Sequence, residues 1–318
     1  MNNLTKKTVF VLLVAYVIVI SGCSSNQQLI IDDSSQHNPW NHLNFYNNPD
    51  NFQFAIIGDI EGGRRDGVFE EAIDDLNLMK PEFVMSVGDL VHGYYSKSID
   101  KLRPEHDNIN ALINKLDMPF FYVPGNHDNT NELCLNEWIA RYGKTYYHFI
   151  YKDVLFLCLD SQDPPDAHRT SNFSDKQLAY FQKVLTKYKN VRWTILFLHQ
   201  PMWLNSPNNN DKNHTWAKMQ KLLGERSYTV FCGHYHRYLK SIKNDMNHYI
   251  LSTTGGGAQK AESTERAEKP AGVEYCNFDH IMWITMTKEG PLVTNILLDG
   301  IFNDEPCKAT ENQSKTWY

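Results

Sequence analysis

The chain has 318 residues, 42% apolar and 21% charged, the balance of an ordinary globular protein, with no internal repeat or low-complexity block. That length holds one large domain with a sizeable core, or two small ones. A net charge of −6 without a basic run gives no electrostatic footprint for nucleic acid, and none is expected as a partner.

The first residues read as a targeting signal. "MNNLTKK" is a short positive segment, and "TVFVLLVAYVIVI" is an apolar run too short to span a bilayer comfortably. "ISGC" follows, ending at Cys23, and resembles a bacterial lipoprotein signal in which the cysteine sulfur takes a lipid. Several acyl chains on one residue hold a protein stably to a membrane. The other reading is an uncleaved membrane anchor, and on either one the domain leaves the cytoplasm. The expected location is therefore a bacterial cell envelope, periplasm or surface, with the membrane as partner through the N-terminal lipid. Residues 1–22 are read as signal peptide and 23–51 as a polar tether rich in Ser, Asn, Gln and Asp.

The domain proper is expected over 52–302, with a tail over 303–318. "FQFAIIGD" is a short buried strand, and "VFEEAIDDLNLM" carries Val68, Phe69, Ala72, Ile73, Leu76 and Met79 at helical spacing. "EFVMSVGD" predicts a second strand. "SKSIDKLRPEHDNINALINKL" predicts a helix in its second half, and "PFFYVPGNHD" a third strand. "TYYHFIYKDVLFLCLD" reads as a hairpin, "SDKQLAYFQKVLTKY" as a capped amphipathic helix and "VRWTILFLH" as another buried strand. The last third is nearly all strands. Strands alternating with helices and then strands in succession predict an α/β fold, with two facing mixed β-sheets flanked by helices. Cys158 and Cys232 sit in apolar runs as small hydrophobes, while a disulfide among Cys134, Cys276 and Cys307 stays open.

Five segments share one design: each places Asp, Asn or His just past an apolar strand. They are Asp59; Asp89 with His92 in "GDLVHG"; Asn126 and His127 in "GNHD"; His199 in "FLHQP"; and His234 with His236 in "GHYH". Ligand sites form where strand ends meet loops. A lone strand-end Asp or His is usually a turn residue, but five in succession, all oxygen or imidazole donors, point to metal.

The order Asp, "GDLVH", "GNHD", His, "GHYH" resembles the calcineurin-like metallophosphoesterase signature over roughly residues 52–300. The resemblance implies a four-layer αββα sandwich with two metals at the strand ends. Asp89 would bridge both, Asp59 and His236 would complete the first, and Asn126, His199 and His234 the second. His127 would face the leaving group or a phosphate oxygen. Two such ions clamp phosphoryl oxygens and acidify a water for in-line attack. Imidazole with oxygen ligands suits Mn, Fe or Zn better than Ca.

The family's first motif is usually Asp-Xaa-His, and here it is Asp59-Ile60-Glu61. Strand alternation points Glu61 into the pocket of Asp59, which favours it as the substituted ligand. The alternative gives the position to His92. Arg64 and Arg65 could fork onto a substrate phosphate or lie solvated. His214 sits on a polar loop as a substrate-facing lip or a surface residue, and Tyr94, Tyr95 and Trp203 line the pocket mouth or the core. The expected function is metal-dependent hydrolysis of phosphate mono- or diesters. The competing expectation is a membrane-tethered protein that binds metal or phosphate without turnover.

Overall fold

A computed structural model describes residues 48, 50–93, 96–165, 171–204, 215–257, 278–298 and 300–303. The expected leader, Cys23, the tether as far as residue 47, Tyr94, Tyr95, His214, Cys276, Cys307 and the tail from residue 304 lie outside the described residues. Among the described residues no helix is long and apolar enough to cross a membrane.

The chain runs β1 (Phe52–Ile57), α1 (Val68–Met79), β2 (Val84–Ser86), α2 (Ile99–Ile113), β3 (Phe120–Phe121) and α3 (Glu132–Tyr142). The hairpin β4 (Tyr147–Tyr151) and β5 (Val154–Cys158) follows, then α4 (Asp175–Lys187), β6 (Trp193–Phe197), α5 (Thr215–Leu223) and β7 (Tyr228–Cys232). The chain closes with β8 (Leu239–Lys243), β9 (Met246–Ile250), β10 (His280–Thr287), β11 (Gly290–Leu297) and β12 (Gly300–Asn303). One six-stranded sheet has the order β12-β11-β10-β1-β2-β3, and the other β4-β5-β6-β7-β9-β8. In the first, β1, β2 and β3 are parallel while β10 to β12 run antiparallel. In the second, β5, β6, β7 and β9 are parallel with antiparallel edges β4 and β8.

Strand alternation sorts the side chains into three apolar layers. Phe54 and Ile56 face the second sheet and meet Phe83, Phe156, Phe197 and Phe231 between the sheets. Phe54 stacks on Phe83 with ring centroids 5.0 Å apart. Their neighbours Ala55 and Ile57 face outward onto Phe69, Ile73 and Leu76 of α1, Ile109 of α2 and Trp138 of α3. Leu157, Leu196 and Val230 face the other way, onto Phe181 of α4 and Met219 of α5. This is the expected sandwich of two mixed sheets between helices.

Local signals account for most boundaries. The Asn131 side chain caps α3 by accepting from Cys134 N at 3.0 Å, and the Ser174 hydroxyl caps α4 by accepting from Gln177 N at 3.1 Å. Lys152 and Asp153 take the left-handed conformation that a two-residue hairpin needs. Three features depart from the sequence reading, and one question it left open is answered. Helix α2 starts at Ile99 and carries Pro104 inside it, so the helix covers the first half of that segment too. Strand β3 has two residues. Helices α3 and α5 and edge strand β8 were not assigned from sequence, although α5 carries Trp216, Met219 and Leu223 at helical spacing. Cys134, Cys158 and Cys232 are buried free thiols, so Cys134 is outside any disulfide.

Candidate metal centre

Every segment singled out by its polar ending follows a strand of a parallel set: β1, β2, β3, β6 and β7. Parallel strands point their carboxyl ends the same way, so the loops after them gather at one edge of the sandwich. Two groups of side chains meet there. Asp89, His199 and His234 form one, and Asp59, Asp89 and His236 the other, with the ligand atoms of each group within 4.8 Å of one another. Asp89 belongs to both.

In the first-named group the lone pairs converge. His199 Nδ1 donates to Val87 O at 2.9 Å, which leaves Nε2 without a proton in the neutral ring. That Nε2 lies 3.1 Å from Asp89 Oδ2, 3.0 Å from Asn126 Oδ1 and 3.3 Å from His234 Nδ1. With the ring neutral, a carboxylate, an amide carbonyl and two imidazoles turn lone pairs toward one another, a donor set that fits a cation. Burial opposes charge on His199, but the Asp89 carboxylate raises its pKa to about 9. Burial holds His234 down to about 3. Burial likewise works against the Asp89 charge, yet His199 and His127 hold its carboxyl below the ordinary value.

The other group repeats the pattern. His236 Nδ1 donates to Gly257 O at 2.6 Å, and Nε2 faces Asp59 Oδ2 at 3.1 Å. Asp59 Oδ2 also accepts from His234 N at 2.8 Å, while its buried Oδ1 has no protein partner. Asp59 is fully buried and Asp89 is 2% exposed. A buried carboxylate oxygen without a partner, beside imidazole nitrogens turned toward carboxylates, fits divalent metal ions.

The backbone is bent to aim these groups. Asp89, His234 and His236 have φ of 56, 78 and 51°, left-handed conformations that cost about 1–3 kcal/mol each and cluster at functional sites. Glycines let the loops close. A Cβ at Gly88 would lie 2.7 Å from Gly125 and 2.8 Å from His199 Nδ1, and one at Gly233 would overlap the Asp59 carboxylate.

Asp128, given no role from sequence, ties two loops together. Its Oδ1 accepts from Leu90 N and Val91 N at 2.9 and 3.1 Å, and its Oδ2 from Gly125 N at 2.8 Å. Burial raises its pKa to about 7. The one signal for it was a charged residue closing a tight "GNHD" turn. His127 sits beside the centre, 17% exposed, with Nε2 3.9 Å from Asp89 Oδ2 and its backbone N–H on Asp89 Oδ1 at 2.9 Å.

Glu61, the expected substitute ligand, is in neither of the two groups. Strand alternation ends at the loop: Ile60 N and Glu61 N both donate to Asp89 O, at 3.2 and 2.9 Å. The Glu61 carboxylate falls outside both groups and stands 3.7 Å from Nδ1 of the exposed His92. Arg65, with its side chain 41% exposed, spends two of its three guanidinium nitrogens inside the protein. Its Nη2 lies on Asp279 Oδ1 at 2.5 Å, and Nε and Nη2 both donate to Gly256 O. Arg64 leans on Glu70 at 3.3 Å. Trp203 is buried among Trp216 and His248, the core alternative of its two readings.

Residues 52–238 match the calcineurin-like phosphoesterase family. The serine/threonine-protein phosphatase CPPED1 of Mus musculus is 28% identical over 213 residues, which are 62% of this chain and 68% of that protein. A probable glycerophosphodiester phosphodiesterase GpdQ of Arcobacter nitrofigilis is 23% identical over 175 residues, 52% of this chain and 60% of that protein. The chain thus spans less than two thirds of the second relative's length. The purple acid phosphatase PPD1 of Lupinus luteus seeds shares the fold with a TM-score of 0.60 at 14% identity, covering 82% of this chain and 57% of that structure. With the family match taking in more than half of its length, the chain belongs to the calcineurin-like phosphoesterase family.

Proposed function

We propose that this protein is a metal-dependent phosphoester hydrolase whose two metal ions share Asp89. The observation that carries the reading is the pair of buried Asp/His groups with that carboxylate in common. Asp59, Asp89 and His236 would hold one ion, and Asp89, Asn126, His199 and His234 the other. When bound, ions in such a pair neutralise phosphoryl oxygens and acidify a water for in-line displacement of the alcohol. The oxygen and imidazole donors favour Mn, Fe or Zn.

The chain's own groups do the positioning. Val87 O and Gly257 O fix the His199 and His236 rings with Nε2 toward the centre. Asp128 locks the "GNHD" turn against the loop of Asp89. His127, held below its usual pKa by burial, is placed to meet a phosphoryl oxygen or the departing alcohol. Glu61 and His92 stand together at the rim, where they can meet the rest of the substrate.

The relatives' names cover a phosphatase and a phosphodiesterase, and a phosphate ester, mono- or diester, is the substrate class. "ISGC" ahead of a polar tether supports a lipid anchor at Cys23 in a bacterial envelope. Metal-stripped protein reloaded separately with Mn, Fe or Zn, then assayed on p-nitrophenyl phosphate and bis(p-nitrophenyl) phosphate, tests the activity. Metal-restored hydrolysis of either ester is expected. Metal uptake without hydrolysis of either would favour a binding protein.

A further inference from the structure

The His236 imidazole is packed between glycines. A Cβ at Gly62 would come within 2.5 Å of its Cε1, and one at Gly256 within 3.2 Å. The Cβ at Gly256 would also lie 2.6 Å from Glu61 O and 2.9 Å from Asp59 O, so neither position takes a side chain without a shift, and the turn that carries Gly257 O to His236 Nδ1 is Gly255-Gly256-Gly257. Three glycines in a row have more conformational freedom to lose than any other tripeptide. Something has to hold that turn still.

The partners of its backbone show what does. Gly255 O accepts from Arg65 N at 2.7 Å, and Gly255 N lies 3.2 Å from Asp279 Oδ1. Gly256 N donates to Asp59 O at 2.9 Å. Gly256 O accepts both Nε and Nη2 of Arg65, at 3.0 and 2.8 Å. The same Nη2 reaches Asp279 Oδ1 at 2.5 Å and Thr253 Oγ1 at 3.2 Å, and the Thr253 hydroxyl donates to Asp279 Oδ1 at 2.7 Å. Arg65 and Asp279 are 214 residues apart in the chain and close on the turn from both sides.

We propose that Arg65 and Asp279 form a clamp that positions His236 for its metal, by fixing the Gly255–Gly257 turn whose last carbonyl orients the imidazole. The proposal rests on the two-metal reading above. In this role Arg65 is a positioning residue, acting on the metal site through the turn. The fork onto one carbonyl needs two nitrogens at fixed angles, which lysine lacks.

The test uses the purified protein as wild type, Arg65→Ala, Arg65→Lys and Asp279→Asn, stripped of metal and titrated calorimetrically with Mn²⁺ alone. Amide exchange at Gly255 and Gly256 is followed in the metal-free samples. Wild type is expected to bind two ions. Arg65→Ala should keep one site at wild-type affinity and weaken the other by about 10–100-fold, with faster exchange at both glycines and unchanged exchange in β1. Arg65→Lys should fall between, and Asp279→Asn should resemble Arg65→Ala. Two unchanged sites in Arg65→Ala overturn the clamp. Equal loss at both sites with a lowered melting temperature, in Arg65→Ala and Asp279→Asn alike, also overturns it, because that is general destabilisation. If wild type takes up no Mn²⁺, the two-metal reading fails. The glycine exchange then decides alone: faster in Arg65→Ala supports the clamp, unchanged defeats it.

Discussion

Glu61 Oε2 lies 3.7 Å from His92 Nδ1, and neither side chain is in the two groups built around Asp89. The carboxylate two residues past Asp59 is thus paired with an exposed histidine. Glu61→Ala and His92→Ala are expected to leave both metal sites filled while each lowers turnover about tenfold. The double variant should be little worse than either single one, since contacting residues are non-additive. Metal analysis with a rate assay checks this. Loss of one metal in Glu61→Ala, with His92→Ala unaffected, would restore Glu61 as a ligand.

Asn126 offers its carbonyl oxygen to the same point as His199 Nε2, 3.0 Å away. Asn126→Ala should weaken one metal site by about 10–100-fold and leave the Asp59, Asp89 and His236 group filled. Calorimetric Mn²⁺ titration reads it. Loss of both ions together would show that the two groups are not separate sites.

His280 is fully buried between Ser252 N, which donates to its Nε2 at 3.1 Å, and Asn295 Oδ1, which faces Nδ1 at 2.9 Å. Burial pushes its pKa down from 6.5 to about 4. Between those values the unfolded chain binds the extra proton, so this histidine's contribution is whole above pH 6.5 and is lost as pH falls toward 4. His280→Leu removes the term along with two hydrogen bonds. The stability gap between wild type and variant should therefore be widest near pH 7.5 and narrow by about 2 kcal/mol at pH 5. Urea unfolding at several pH values measures it, and a constant gap would mean that His280 titrates normally.

For the anchor, protein made in a bacterium should fractionate with membranes, and Cys23→Ser should abolish lipid attachment there. A soluble, unlipidated mature protein whose N-terminus is elsewhere would defeat that reading.

The loops of the centre were legible because each is written locally, as a polar group after an apolar strand. The alternation that placed Glu61 beside Asp59 was carried past the end of β1 at Ile57, where two successive N–H groups, of Ile60 and Glu61, turn to one carbonyl, Asp89 O. Helix α3 was hidden by Glu137, a buried carboxylate on its inner face that is paired with Arg141 at 2.5 Å and Arg103 at 3.4 Å. Such a residue breaks the apolar period on which the reading depends. The start of α2 was placed too late: the helix begins after Ser98, which makes no side-chain capping bond, and Pro104 lies inside it. The roles of Asp128, Arg65 and Asp279 lie in contacts between distant segments, and no local pattern announces those.

The most direct measurement is metal content and phosphoester turnover, taken together, on wild type and Asp89→Asn. Wild type should hold two ions and hydrolyse an ester only when loaded. Asp89→Asn should lose metal and more than about a hundredfold in rate, since both groups lose their shared anion. A variant with a full metal complement and near-normal turnover would contradict the shared-carboxylate centre.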